Sequence, residues 1–131
     1  MKLINIKTIY VILTISLLMM GCQNLKEETM RHIVIFKFKP TATAEQIEKV
    51  TNALADLENK IPGITSFEHG VNNSPENKNQ DFTHVYQFTF KDAEARDTYL
   101  PHPEHKAFGK MLGAMQIVED VFVVDYIPEG K

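Results

Sequence analysis

The order of hydrophobic patterns along the chain limits the folds open to it more than any other feature. Four segments are rich in β-branched and aromatic residues, and one of them alternates strictly, as is typical of strands. These segments are 31–39, 64–71, 82–90 and 117–126. A helical segment separates the first from the second, and another separates the third from the fourth. The order β-α-β-β-α-β predicts an α+β fold of the ferredoxin-like, split-βαβ type, a four-stranded antiparallel sheet with both helices on one face.

The two predicted helices have recognisable boundaries. Thr43 and Gln46 form a capping box, and apolar residues then recur every three or four positions as far as Ile61, before a Pro-Gly pair. Asp92 caps the second helical region, which extends to about Met115. Two prolines must interrupt this second region, because proline cannot continue a helix. They are Pro101 and Pro103.

The N-terminal segment has the composition of an export signal. Lys2 and Lys7 precede an uncharged, mostly apolar run at 8–20, which is shorter than the roughly 20 residues that a spanning helix needs. A glycine and Cys22 follow, as in the lipobox of bacterial lipoproteins, where the thiol is acylated. The alternative is a membrane anchor or an ordinary signal peptide with an incidental cysteine. The predicted divisions are a signal peptide at 1–21, a polar tether at 22–29 and one folded domain at 30–127.

Export and lipidation predict a location in the cell envelope, with attachment to the membrane through the N-terminal lipid. Gln23 follows Cys22, where aspartate would favour retention in the inner membrane, so the periplasmic face of the outer membrane is expected in a Gram-negative cell. Cys22 is the only cysteine, so the domain cannot form an internal disulfide. The formal net charge is −3 and becomes more negative without the leader lysines, which disfavours nucleic acid as a partner.

The sheet face away from the helices is predicted to be too apolar to stand in water. Its members are Ile33, Ile35, Val85, Phe122, Val124 and Tyr126. An exposed apolar patch of this kind normally marks an interface. A homodimer that buries sheet against sheet is the simplest partner.

Four of the five histidines and one tyrosine are predicted to share a polar pocket. His32 and His84 lie on strand faces whose other residues are large and apolar, so both imidazoles should point beneath the helices. Tyr99, His102 and His105 come from the second helical region. A neutral imidazole can act as a general base near neutral pH, and a tyrosine can donate a hydrogen bond to a substrate. The fifth histidine, on the weak second strand beside a glycine, is expected to face solvent.

Two other interpretations of these residues stay open at this level. The histidines could form a structural hydrogen-bond network that holds the helices to the sheet. They could also bind a metal, but Pro103 separates His102 from His105 and no cysteine or carboxylate lies at a recognised ligand spacing. We therefore predict no metal site, and the absence of nucleotide and phosphate-loop motifs predicts no cofactor.

Segments of the chain resemble the stress-responsive dimeric α/β-barrel (Dabb) family. They are MRHIVIFKFK at 30–39, THVYQFTF at 83–90, YLPHPEHKAF at 99–108 and VFVVDY at 121–126. The resemblance covers about residues 30–127 and implies a ferredoxin-like protomer in a homodimer whose two sheets close into a barrel.

The resemblance also implies roles for the site residues. By similarity to a cyclase of the family, which closes a linear polyketide by aldol condensation, His105 would be the base. Tyr99 would hold the substrate carbonyl or the developing enolate. His32, His84 and His102 would line the pocket and contact substrate. At Thr51, Leu54 and Ala55 the cyclase has larger side chains that hold an alkyl tail, so the pocket wall differs.

The hypothesis from the sequence is an exported, lipid-anchored protein that binds or acts on a small carbonyl-bearing or apolar molecule. The chemistry would be proton transfer of the lyase or cyclase type, without a cofactor. The alternative is a non-catalytic stress or envelope protein with structural histidines.

Overall fold

A computed structural model describes residues 28–129 of the chain. The predicted signal peptide and the acylated cysteine lie outside these residues. The elements are β1 Met30–Phe38, α1 Ala44–Lys60, β2 Ile64–Val71, β3 His84–Phe90, α2 Ala93–Tyr99, α3 Pro103–Met115 and β4 Val118–Tyr126. The strands form one antiparallel sheet in the order β2-β3-β1-β4. The ferredoxin-like fold predicted from the sequence is confirmed.

The helix boundaries follow from local chemistry. The Thr43 hydroxyl accepts a hydrogen bond from the backbone N–H of Gln46, whose side chain accepts one from the N–H of Thr43, so the capping box is confirmed. The second helical region is divided between Tyr99 and Pro103, as its prolines predict. Proline is well tolerated at the first position of the new helix because its missing N–H has no partner there.

The third strand begins at His84, two residues later than its alternating pattern predicts. Phe82 belongs instead to a turn, in which its N–H donates to the Asn79 carbonyl over 2.8 Å. The preceding loop has three non-glycine residues in the left-handed conformation. They are Asn77, Gln80 and Asp81. The alternation describes only the side chains. The strand itself begins where the backbone, after this turn, pairs with β1 and β2.

The core lies between the helices and one face of the sheet. Fully buried residues of this layer are Val50, Leu54, Leu57 and Ile61 from α1 and its end, and Tyr86, Phe88, Phe90 and Tyr99 from β3 and α2. The opposite sheet face has no helix against it among the described residues. Phe122, Val124 and Tyr126 on that face are 53%, 37% and 43% exposed. No helix between residues 28 and 129 is long and apolar enough to cross a membrane.

Candidate active site

Tyr99 is the centre of a cluster of rings at one end of the core. It is the last residue of α2 and is only 1% exposed. Its ring centroid lies 4.3 Å from that of His105 and 5.7 Å from that of His32. Phe88 and Phe90 complete the surroundings, with ring centroids 5.5 and 5.0 Å away. The structure therefore brings together both predicted catalytic residues and one of the three predicted pocket histidines.

The phenol of Tyr99 is held in its protonated form. Burial raises the pKa of Tyr99 well above its ordinary value, because an apolar environment disfavours the phenolate. Burial is the cause of this shift, and no side-chain hydrogen bond contributes to it. Among residues 28–129 the Tyr99 hydroxyl is therefore a hydrogen-bond donor without a side-chain acceptor.

One ring nitrogen of His105 is hydrogen-bonded, and the other has no hydrogen-bond partner within residues 28–129. It lies in the first turn of α3, with Nδ1 3.0 Å from the carbonyl oxygen of Leu100. A carbonyl can only accept a hydrogen bond, so Nδ1 carries the proton that it donates. In the neutral imidazole Nε2 then has the lone pair, which is the state that a general base requires.

His32 belongs to a charged group that the sequence interpretation missed. Its Nδ1 lies 2.6 Å from Oδ1 of Asp125 on the adjacent strand β4, and the guanidinium of Arg96 bonds to Oδ2 of the same carboxylate. Burial lowers the pKa of His32, although the hydrogen bond to Asp125 and its charge oppose this effect. A carboxylate within the otherwise apolar run VFVVDY was the only signal in the sequence that could have pointed to this arrangement.

His84 and His102 lie apart from this cluster. His84 pairs across the sheet with Phe36, four residues along β1 from His32, which corresponds to about 13 Å at the rise of a strand. Its ring packs against Phe38, and burial lowers its pKa. His102 is the N-cap of α3, where its Nδ1 accepts a hydrogen bond from the N–H of Glu104.

His69 is exposed, as predicted, yet it lies on the helix-facing side of the sheet. Its ring stacks on Phe67 and Tyr86, with centroids 5.7 and 6.1 Å away. Neither ring belongs to the cluster around Tyr99. His69 is therefore a natural reference position for testing the other histidines.

A cavity of about 290 Å³ lies on the opposite side of the sheet and includes none of the predicted site residues. Its apolar floor is Ile35, Phe82, Val85 and Phe122. Side-chain amides from the loop between β2 and β3 form its rim. Among residues 28–129 no group of three or more histidine, cysteine or carboxylate side chains is arranged to hold a metal ion. The groups available at the Tyr99 cluster are thus a phenol, two imidazoles and one paired carboxylate.

Comparison with known proteins places this geometry in a family. The profile of the Stress responsive A/B Barrel Domain (Dabb) matches residues 30–128. The chain belongs to this family. It is 34% identical over 100 residues to the stress-response A/B barrel domain-containing protein HS1 of Arabidopsis thaliana, covering 76% of this chain and 89% of that protein. It is 29% identical over 99 residues to olivetolic acid cyclase of Cannabis sativa, covering 76% and 96%.

Solved structures agree with the Dabb assignment. A hydroxynitrile lyase from Passiflora edulis superposes with a TM-score of 0.72 at 25% identity, covering 80% of this chain and 97% of that one. A dimeric ferredoxin-like protein of unknown function from Jannaschia sp. CCS1 superposes with a TM-score of 0.64 at 30% identity, covering 75% and 97%. The family predicted from four short segments is confirmed, and Dabb relatives include a cyclase and a lyase.

Proposed function

We propose that this Dabb protein is a cofactor-independent acid–base enzyme of the lyase or cyclase type, acting on a small carbonyl-bearing molecule. The observation that carries the proposal is the contact between His105 and Tyr99. A ring nitrogen with a free lone pair lies beside a phenol that burial keeps protonated. The two groups supply a proton acceptor and a hydrogen-bond donor in one place. The names of the cyclase and lyase relatives are consistent with such chemistry.

The proposed step is removal of a proton from carbon next to a carbonyl. Nε2 of His105 takes the proton, the C–H bond breaks, and its electron pair moves to the carbonyl oxygen as an enolate. The Tyr99 hydroxyl donates a hydrogen bond to that oxygen, where negative charge develops. When the enolate carbon attacks a second carbonyl, the proton on His105 passes to the new alkoxide. A lyase would run the same bond changes in reverse. General acid–base groups of this kind typically contribute about 10²–10⁴ in rate.

The other predicted pocket histidines would have lesser roles. His32 reaches the cluster directly. His84 lies on the same side of the sheet but at a distance, so it would contact only the far end of an elongated ligand. His102 is occupied in capping α3, and we propose that it fixes the approach of His105 rather than contacting substrate.

A non-catalytic role is the second candidate, and the dense packing favours it. Tyr99 is surrounded by rings, and the 290 Å³ cavity is on the far side of the sheet. In that case His105 would hold α3 to the core. Its removal would then leave a gap beside the buried ring of Tyr99, whose centroid lies 4.3 Å from that of His105.

Variants of the Tyr99 cluster distinguish the two candidates. Tyr99→Phe keeps the packed ring. His105→Ala removes a half-buried ring whose hydrogen-bond partner among the described residues is the carbonyl of the exposed Leu100. If the two residues are catalytic, each variant should therefore cost less than about 1 kcal/mol of unfolding free energy. A structural network would instead cost about 1–3 kcal/mol in each variant. Chemical denaturation measures both.

Proton exchange supplies the matching functional measurement. Incorporation of solvent deuterium next to the carbonyl of small methyl ketones, followed by NMR, should be accelerated by the unchanged protein. The rate should fall by about 10²-fold or more in His105→Ala and stay unchanged in the control His69→Ala. No acceleration across a broad panel of ketones, together with unstable Tyr99 and His105 variants, would favour the structural role.

We propose that the chain is exported and anchored by acylation of Cys22, in the outer membrane where the cell has one. The support is the order of a basic start, a short apolar run, glycine and the only cysteine. Two or three acyl chains hold a protein firmly, because each buried CH₂ contributes about 0.8 kcal/mol. In the native host, mass spectrometry should find an N-terminal acylated Cys22, and Cys22→Ser should release or stall the protein. An unprocessed, unmodified N-terminus would contradict the proposal.

We further propose that the protein is a homodimer that buries the uncovered sheet face. The support is the exposed apolar side chains of β4, together with the dimeric relative from Jannaschia. Large exposed apolar patches are rare on monomers.

A further inference from the structure

Asp125 is shared between two donors that come from different elements. Oδ1 accepts from Nδ1 of His32 on β1, and Oδ2 accepts from the guanidinium of Arg96 on α2. The side chains of His32, Arg96 and Asp125 are 6%, 19% and 26% exposed. Arg96 is three residues before Tyr99, so its helix face turns toward the same cluster. One carboxylate thereby connects the strand that carries His32 with the helix that carries Tyr99.

The charge balance of this group depends on Arg96. An unpaired carboxylate beside a buried imidazole favours the protonated imidazolium, which would neutralise it. The guanidinium is permanently charged and offsets the charge of the part-buried Asp125, because its other carboxylate partner, Asp97, is 67% exposed and screened by solvent. His32 can then stay neutral, donating from Nδ1 and keeping the lone pair on Nε2.

We infer that Arg96 is a positioning residue that fixes Asp125 and thereby keeps His32 neutral, as a second proton acceptor beside Tyr99. The catalytic consequence rests on the proposed function, whereas the protonation state of His32 can be measured without any substrate.

The charged and polar groups that face His32 come from three elements. They are Asp125 from β4, Arg96 and Tyr99 from α2, and His105 from α3, while β3 contributes the uncharged rings of Phe88 and Phe90. The pKa of His32 is lowered chiefly by burial and further by the charges of His105 and Arg96, whereas Asp125 raises it. Removal of Arg96 should therefore raise the pKa of His32, and removal of the Asp125 charge should lower it.

The test is an NMR titration of the histidine rings in the full-length protein held in detergent, with the His32 signal assigned through His32→Gln. Arg96→Met should move the midpoint of His32 to higher pH, and Asp125→Asn should move it to lower pH. Arg96→Lys, which keeps the positive charge, should restore most of the difference. Asp97→Asn removes the other carboxylate bonded to Arg96 and serves as the control, with an unchanged His32 midpoint.

Shifts in the same direction for Arg96→Met and Asp125→Asn, or no shift in either, would overturn the inference. If Arg96→Met does not fold, Arg96→Gln against Arg96→Lys provides the same comparison. Deuterium exchange into ketones separates this inference from the proposed function. If the unchanged protein shows no exchange but the midpoints move apart, only the catalytic role fails. If exchange occurs and the midpoints stay together, only the role of Arg96 fails.

Discussion

Alanine in place of Gly63 is expected to cost about 2–5 kcal/mol of unfolding free energy. Gly63 lies between α1 and β2 with φ of +93°, a conformation that costs other residues about 1–2 kcal/mol. A Cβ at this position would lie 2.6 Å from the Cβ of Ala95 in α2, and overpacking of this kind typically costs about 1–3 kcal/mol. The Gly63 carbonyl also accepts a hydrogen bond from the N–H of Lys91, so the turn cannot move away freely.

The consequence reaches the candidate site, because the helix that must shift carries Arg96 and Tyr99. Gly109→Ala is the matched control. Gly109 is an exposed residue of α3, and a methyl group there would meet no other side chain within 4 Å, so alanine should add about 0.5–1 kcal/mol. Chemical denaturation of the two variants should thus give changes of opposite sign. A neutral Gly63→Ala would show that α2 does not pack closely on this turn.

Lysine in place of Val124 is expected to dissociate the proposed homodimer. Val124 lies opposite Ile33 on the uncovered sheet face. Burial of an unpaired polar group costs about 1–3 kcal/mol. A two-fold symmetric dimer would bury one such lysine from each protomer, so the cost is doubled. The dissociation constant should rise by at least about 30-fold. Sedimentation of the chain beginning at residue 28 measures it.

Asn52→Lys is the control for the dimer, since it adds the same charge to the exposed side of α1. It should leave the dissociation constant unchanged. An unchanged chain that is a folded monomer at micromolar concentration would contradict the dimer itself. A Val124→Lys chain that stays dimeric would show instead that another surface forms the interface.

The elements of this fold could be predicted because their signals are local. The capping box at Thr43 and the prolines at 101 and 103 act within a few residues of where they stand, and the structure confirms the boundaries they predict. Alternation alone predicts the start of the third strand two residues before His84, because it does not report the hydrogen bond that holds Phe82 in a turn with Asn79.

The site was only partly predictable, because sequence patterns report local structure and some of its contacts are not local. Tyr99 and His105 belong to one short segment and meet across a single helix break, so their contact follows from local structure. His84 was predicted to lie beside His32 because both are on the apolar, aromatic face of their strands. That alternation shows which face a side chain is on, but not its position along the sheet. In the structure His84 pairs with Phe36, which lies four residues along β1 from His32, and this separates the two histidines.

The order of elements, the helix caps, the family and the pairing of Tyr99 with His105 all follow from patterns within the chain. The partner of His32 does not, because Asp125 lies 93 residues away. That contact depends on the register between β1 and β4, which sets His32 opposite Asp125. A shift of one residue would turn the carboxylate to the other face of the sheet, away from His32 and Arg96 alike. No local pattern in either strand fixes that register; it follows from packing the whole sheet against its helices.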